Sequence, residues 1–193
     1  MDGVKADVIF TDPPYGINYQ DVKKKHRKIE NDIDPSGVLS ALNQYKCPMF
    51  ICCNWRSLPL FIDVLDGVEF KACIVWDKGS RIQNLDKFAK QHEFILYSGE
   101  YGGSATVDVD VWQISRDVSS EHPTAKPVEL IVRAIKHFGD IVLDLFGGSG
   151  STLIAAEQTG RTAYLMEIDC LYADVCVKRW EDYTGEKAIL EER

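Results

Sequence analysis

The chain contains no apolar run near the ~18 residues that a membrane span requires, and no charged-then-apolar leader at its N-terminus. Membrane contact and secretion are therefore not expected. Cysteines at metal-finger spacing are also missing. The six present, at 47, 52, 53, 73, 170 and 176, mostly sit in apolar runs such as Phe50-Ile51-Cys52-Cys53 and read as small buried hydrophobes. A reduced, cytoplasmic protein without a metal follows. Positive charge is scarce: 22 Lys+Arg stand against 30 Asp+Glu, a formal charge of −8. That balance argues against a nucleic-acid partner unless a local patch reverses it. What remains is an ordinary globular mixture of 193 residues, 45% hydrophobic and 27% charged. A chain this long buries about 70% of its unfolded surface, so one unstapled domain over residues 1–193 is expected.

Apolar runs alternate with helical patterns throughout, which predicts an α/β fold with a mostly parallel sheet and helices on both faces. Strands are expected at Val8–Phe10, Met49–Cys53, Phe70–Trp76, His92–Tyr97, Ile141–Leu145 and Ala163–Ile168. Between Val107 and Ile114 the pattern alternates, with Val107, Val109 and Val111 pointing one way. Helices are expected at Pro35–Tyr45, Leu58–Leu65, Val128–Phe138, Ser151–Thr159 and Leu171–Tyr183. In the third of these, Leu130, Ile131, Ala134 and Ile135 share one face.

Two loops carry chemistry. The first, Asp144-Leu145-Phe146-Gly147-Gly148-Ser149-Gly150, leads from a strand into a helix. Its glycines allow close backbone approach, and the helix presents its positive end to the loop. Glu167 closes the next strand, where a carboxylate can take both ribose hydroxyls. Leu153 stands where a dinucleotide fingerprint has Gly or Ala, and no Gly-Lys-Ser/Thr occurs, so both phosphate-binding readings weaken. A nucleoside ligand fits better. The plain alternative is a glycine turn that only packs tightly.

The second loop is Asp12-Pro13-Pro14-Tyr15, also at a strand end. Consecutive prolines fix φ, remove two amide donors and hold Asp12 extended. The resulting array of a carboxylate, carbonyls and an aromatic face suits an exocyclic amine on a base swung out of its helix. A proline turn with a local capping aspartate is the alternative here. In an open α/β sheet both loops belong beyond the carboxyl ends of strands and so can form one site.

This constellation resembles the S-adenosylmethionine-dependent amino-methyltransferases of double-stranded DNA, which modify N6 of adenine or N4 of cytosine. With the catalytic loop first and the cofactor loop last, the order is similar to the permuted beta arrangement, and specifically to phage-type modification methylases. The resemblance implies a Rossmann-like methyltransferase sheet with one antiparallel strand. It also implies S-adenosylmethionine as cofactor, double-stranded DNA as substrate and a homodimer as an option. Asp12, Pro13, Pro14 and Tyr15 would then form the catalytic loop. Asp144, Phe146, Gly147, Gly148, Ser149 and Gly150 would line the cofactor pocket, with Glu167 on the ribose. Thr124 and Lys126, within His122-Pro123-Thr124-Ala125-Lys126-Pro127, would meet the methionine carboxylate. Asp12 at the head of the loop leans towards adenine, with cytosine-N4 methylation, or a catalytically weak binding fragment, as alternatives.

The charge objection has a local answer in Lys23, Lys24, Lys25, Arg27 and Lys28. They belong to a flexible basic loop expected at 20–34, which could grip phosphates beside the extruded base. His92 and Glu93 receive no role beyond core or loop support. Two family features have no counterpart. The loop at residue 12 leaves no room for the strand that family members place ahead of it, so an edge strand beside the one ending at Glu167 is expected to be missing. The chain is accordingly read as a fragment of a longer protein. Nor is there a large target-recognition domain, since only about twenty residues, Gly99 to Glu121, separate the last core strand from His122.

Overall fold

The computed structural model describes residues 3–16, 34–82, 88–100, 108–116 and 125–191. The basic residues 23–28, and His122, Pro123 and Thr124, lie outside them. Seven strands are described: β1 (Val8–Thr11), β2 (Met49–Cys53), β3 (Phe70–Ile82), β4 (Lys90–Ser98), β5 (Val111–Gln113), β6 (Ile141–Asp144) and β7 (Thr162–Leu165). They form one sheet in the order β5-β3-β4-β2-β1-β6-β7. Only β4 runs against the rest, pairing antiparallel with both β2 and β3. At the β7 edge the single neighbour is β6.

β1 and β2 are buried along their whole length, which is why they read as unbroken apolar runs. Alternate side chains feed two cores. Val8 and Phe10 point towards helices α3 (Val128–Ile135) and α4 (Ser151–Gln158), while Ile9 points towards α1 (Ser36–Ser40) and α2 (Leu58–Val64). The face predicted for α3 is the one buried: Leu130, Ile131, Ala134 and Ile135. A fifth helix, α5 (Cys170–Thr184), lies against α4.

Three expectations change. The helix predicted over Pro35–Tyr45 stops at Ser40 and continues as a 3₁₀ turn, Ala41–Gln44. Gly37 and Ser40 are weak helix formers, and the Ser40 hydroxyl donates back to the Gly37 carbonyl (2.8 Å). β3 runs six residues beyond its predicted end at Trp76, to Ile82, because β4 pairs with polar positions that apolar patterning cannot see. β7 ends at Leu165, short of the expected Ile168, so Glu167 lies just beyond the strand. Over 109–114 the expected alternation holds, with Val109 and Val111 exposed and Trp112 and Ile114 buried, while Val107 lies outside the described residues. Of the cysteines, Cys52 and Cys53 are buried, Cys47 and Cys176 are half-buried, and Cys73 and Cys170 are exposed.

Candidate active site

β1 and β6 are parallel neighbours, with Val8 opposite Val142 and Ile9 opposite Leu143. The turn after β1 and the bend after β6 therefore leave the same end of adjacent strands, about 4.8 Å apart. A hydrogen bond joins their bases: the Thr11 hydroxyl donates to Asp144 Oδ1 (2.9 Å). The proline turn and the glycine bend lie side by side at one end of the sheet.

Asp144 is the hub beneath them. Its carboxylate also accepts from the Phe146 N–H (3.0 Å) and from the Thr152 hydroxyl (2.6 Å), binding β1, the bend and α4 together. Burial pushes its carboxyl up to about 6, against the pull of these hydrogen bonds. The resemblance placed Asp144 on the cofactor. In the structure it is 3% exposed and bonded to the protein on both oxygens, so it shapes the bend from below.

The bend needs its glycines for a measurable reason. Gly150 starts α4 at φ 77°, and a Cβ there would stand 2.5 Å from the Cys176 sulfur on α5. Gly148 is the opposite case, because a Cβ would meet only the Phe146 carbonyl, at 3.9 Å, so its outer side is open. Glu167 Oε2 accepts from the Gly148 N–H (2.7 Å), and Oε1 from the Asp169 N–H (2.9 Å). Each oxygen retains acceptor capacity for a hydroxyl. Ile168 beside it is largely exposed and offers an apolar face. Arg179 of α5 donates to the Ser149 carbonyl and to the Ser151 hydroxyl, both at 3.1 Å, and braces the bend from behind.

On the β1 side both Asp12 oxygens are engaged. Tyr15 donates to Oδ1 (2.7 Å) and Lys126 to Oδ2 (2.5 Å). The Tyr15 ring packs edge-on against Phe61 of α2, with centroids 6.3 Å apart. Burial, reinforced by the charges of Asp12 and Glu93, holds the Tyr15 phenol well above its usual range, so it stays a proton donor. Even so, 30% of the Asp12 side chain is exposed, and a carboxylate has about four acceptor positions, so room for an amine remains.

The Lys126 side chain reaches the proline turn. Its ammonium is on Asp12, with Glu93 Oε2 3.5 Å away, and only 9% of its side chain is exposed. Burial works against its charge, but Asp12 and Glu93 outweigh that and raise its pKa. Glu93 in turn is ion-paired with Lys78, whose ammonium lies over the Trp76 ring, 4.8 Å from its centroid. Burial would raise the Glu93 carboxyl, yet the two lysines bring it below its usual value. The result is a chain of alternating charge, Lys78–Glu93–Lys126–Asp12, running from the sheet to the proline turn.

Lys78 and Glu93 escaped sequence reasoning. Their signal is a cross-strand one: Glu93 lies opposite Trp76, and Lys78 is the next residue on that face of β3. An acid within the run Glu93-Phe94-Ile95-Leu96 called for a partner, but only strand register could name it. Among the described residues no group of acids, histidines and cysteines is arranged to hold a metal. Among the same residues no helix is long and apolar enough to cross a membrane.

A family of DNA methylases matches residues 104–178. The Escherichia coli (strain K12) protein YubD, designated a methylase, is 30% identical over 174 residues, covering 82% of this chain and 74% of YubD. The chain belongs to the DNA methylase family. That family comprises amino-methyltransferases that draw on S-adenosylmethionine. The DNA adenine methyltransferase YhdJ of the same organism is 28% identical, covering 90% of this chain and 76% of its own length. Among solved structures, the M1.HpyAVI–SAM complex superposes with a TM-score of 0.70 at 22% identity, covering 92% of this methylase and 90% of its own chain. That similarity establishes the shared fold, including the single reversed strand.

Proposed function

We propose that this methylase transfers a methyl group from S-adenosylmethionine to the exocyclic amine of a base flipped out of double-stranded DNA, and that the base is adenine, modified at N6. The observation that carries the reading is the adjacency of the Asp12 turn and the glycine bend at the ends of β1 and β6. The bend suits the cofactor on physical grounds. Gly148 leaves open space, α4 starts beside it, Glu167 has acceptor capacity for a ribose, and Ile168 supplies apolar surface for a base. Phe146, Gly147, Ser149 and Gly150 complete the wall, and Thr124 stays with the cofactor's methionine end on the strength of the resemblance alone. Bound there, S-adenosylmethionine supplies a sulfonium methyl, an electrophile that needs neither metal nor covalent enzyme intermediate.

The protein's task is alignment and polarisation of the amine. One amine N–H is donated to Asp12 and the other to the Pro13 carbonyl, which turns the nitrogen lone pair towards the methyl carbon. Lys126 holds the Asp12 carboxylate in place by one oxygen. Tyr15 releases Oδ1 to the incoming amine and lays its ring on the base. As the N–C bond forms, the methyl–sulfur bond would break and leave a neutral thioether, while positive charge grows on nitrogen beside the Asp12 carboxylate, which would take the departing proton. The basic run Lys23, Lys24, Lys25, Arg27 and Lys28 supplies phosphate contacts. Aspartate at the head of the turn, and the kinship with an adenine methyltransferase, favour adenine over cytosine.

The test is transfer of tritiated methyl to unmethylated duplex DNA, followed by nucleoside analysis, with Asp12→Ala as control. Label in N6-methyladenine that vanishes in the control is expected. Equal labelling with Asp12→Ala removes the catalytic role, and label in N4-methylcytosine overturns the choice of base.

A further inference from the structure

The turn joining β2 to α2 carries a feature the methyl-transfer chemistry does not use. Trp55 is 61% exposed, and the Arg56 guanidinium lies over its ring, 5.3 Å from the centroid. Exposed aromatics usually come with mobile surface, but this turn is tightly locked. Asn54 Oδ1 accepts from the backbone N–H groups of Arg56 (2.8 Å) and Ser57 (3.0 Å). The Ser57 hydroxyl accepts from the Asn54 N–H (3.0 Å) and donates to the Asn54 carbonyl (3.1 Å). Ser57 is itself buried. The fold thus holds an indole in water on a rigid mount, so little freedom is lost when a partner arrives.

Its position says what the partner is. Thr11 pairs with Ile51, so two residues further along, Pro13 of the catalytic turn is level with Cys53. The Asn54–Ser57 turn emerges one strand over from Asp12, at the same end of the sheet. Phe61 of the following helix touches the Tyr15 ring. Trp55 therefore leaves the sheet beside the Asp12 turn.

We propose that Trp55 and Arg56 form a contact for the DNA flanking the extruded nucleotide, with the indole stacking on an exposed base face and the guanidinium meeting a backbone phosphate. This deepens the function proposed above and rests on DNA being the substrate. Stacking of this kind tolerates any base, because every base has a π-face, so the contact holds the opened helix without reading sequence. The adjacent cation adds an electrostatic component on a chain whose net charge is −8.

The experiment measures binding of a dye-labelled duplex to the full chain by fluorescence anisotropy across a salt series, for the parent, Trp55→Ala, Trp55→Phe and Arg56→Ala. Cofactor affinity and melting temperature are followed alongside. Trp55→Ala is expected to weaken DNA binding about 10-fold without changing the salt dependence, while Trp55→Phe retains most of the affinity. Arg56→Ala is expected to lower the slope of log K against log salt by about one. Cofactor affinity and melting temperature stay unchanged in all three. Parent-like DNA binding by Trp55→Ala overturns the inference while leaving methylation of DNA intact. A parent that neither binds nor methylates DNA overturns the functional reading, and this contact with it.

Discussion

Replacing Glu93 with glutamine tests the charge chain most directly. In the parent, Lys78, Glu93, Lys126 and Asp12 balance to zero. Glu93→Gln leaves two enclosed ammonium groups, 5% and 9% exposed at the side chain, sharing the Asp12 carboxylate. Breaking a buried pair by removing one partner costs about 3–5 kcal/mol. With 21% of the Glu93 side chain exposed, the lower end applies, about 3 kcal/mol. For a chain of this size each kcal/mol moves the melting temperature by about 2–4 °C, so a fall of about 6–12 °C is expected in a thermal unfolding scan. Adding Lys78→Met removes the stranded cation, and the double variant should regain more than half of that fall. Activity should follow a different pattern. Lys126 loses its second anchor, Asp12 shifts, and kcat drops roughly 10- to 100-fold, since a misplacement near 1 Å costs about 100-fold. The KM for the cofactor, which the proposed function seats at Glu167 and the glycine bend, is expected to stay within about two-fold of the parent. Strictly additive losses in the double variant would refute the pairing of Lys78 with Glu93, and a KM that rises while kcat holds would refute the coupling of Glu93 to Asp12 through Lys126.

Other outcomes follow from the cofactor side. The Asp144 carboxyl is raised to about 6 in the folded chain against an ordinary value near 4, so the folded state binds its proton more tightly. Stability from this group is present below about pH 4 and is lost as pH rises towards 6. Asp144→Asn lacks that component, so subtracting its denaturant midpoints from the parent's should isolate a downward slope across this window. A flat difference would show that the raised value is wrong. Gly150→Ala combines positive φ with a Cβ 2.5 Å from the Cys176 sulfur. It should destabilise the protein by about 2–4 kcal/mol, read from chemical denaturation, and weaken cofactor binding. A loss under about 1 kcal/mol would mean that the bend relaxes freely.

Much of this protein is legible along the chain because its elements are locally specified. The unbroken runs at Val8–Phe10 and Met49–Cys53 announce doubly covered strands, and the spacing of Leu130, Ile131, Ala134 and Ile135 marks a buried helix face. The two motifs are legible for the same reason. Prolines at 13 and 14 and glycines at 147, 148 and 150 act through backbone constraints on neighbouring residues, and these travel with the sequence. The length of β3 and the split of the first helix were not legible, since pairing with β4 and competing hydroxyl contacts override local pattern.

The residues around the motifs divide along the same line. Asp12-Pro13-Pro14-Tyr15 and the glycine bend are short-range objects, and their order along the chain suffices to suggest the chemistry. Lys126 is 114 residues from Asp12, and Thr11 is 133 from Asp144. Lys78 meets Glu93 through strand register, and Arg179 braces the bend from another helix. Only the folded sheet decides which of these distant charges meet, because burial makes an unpaired ion too costly to leave alone. It is the fold that brings Lys126 onto Asp12.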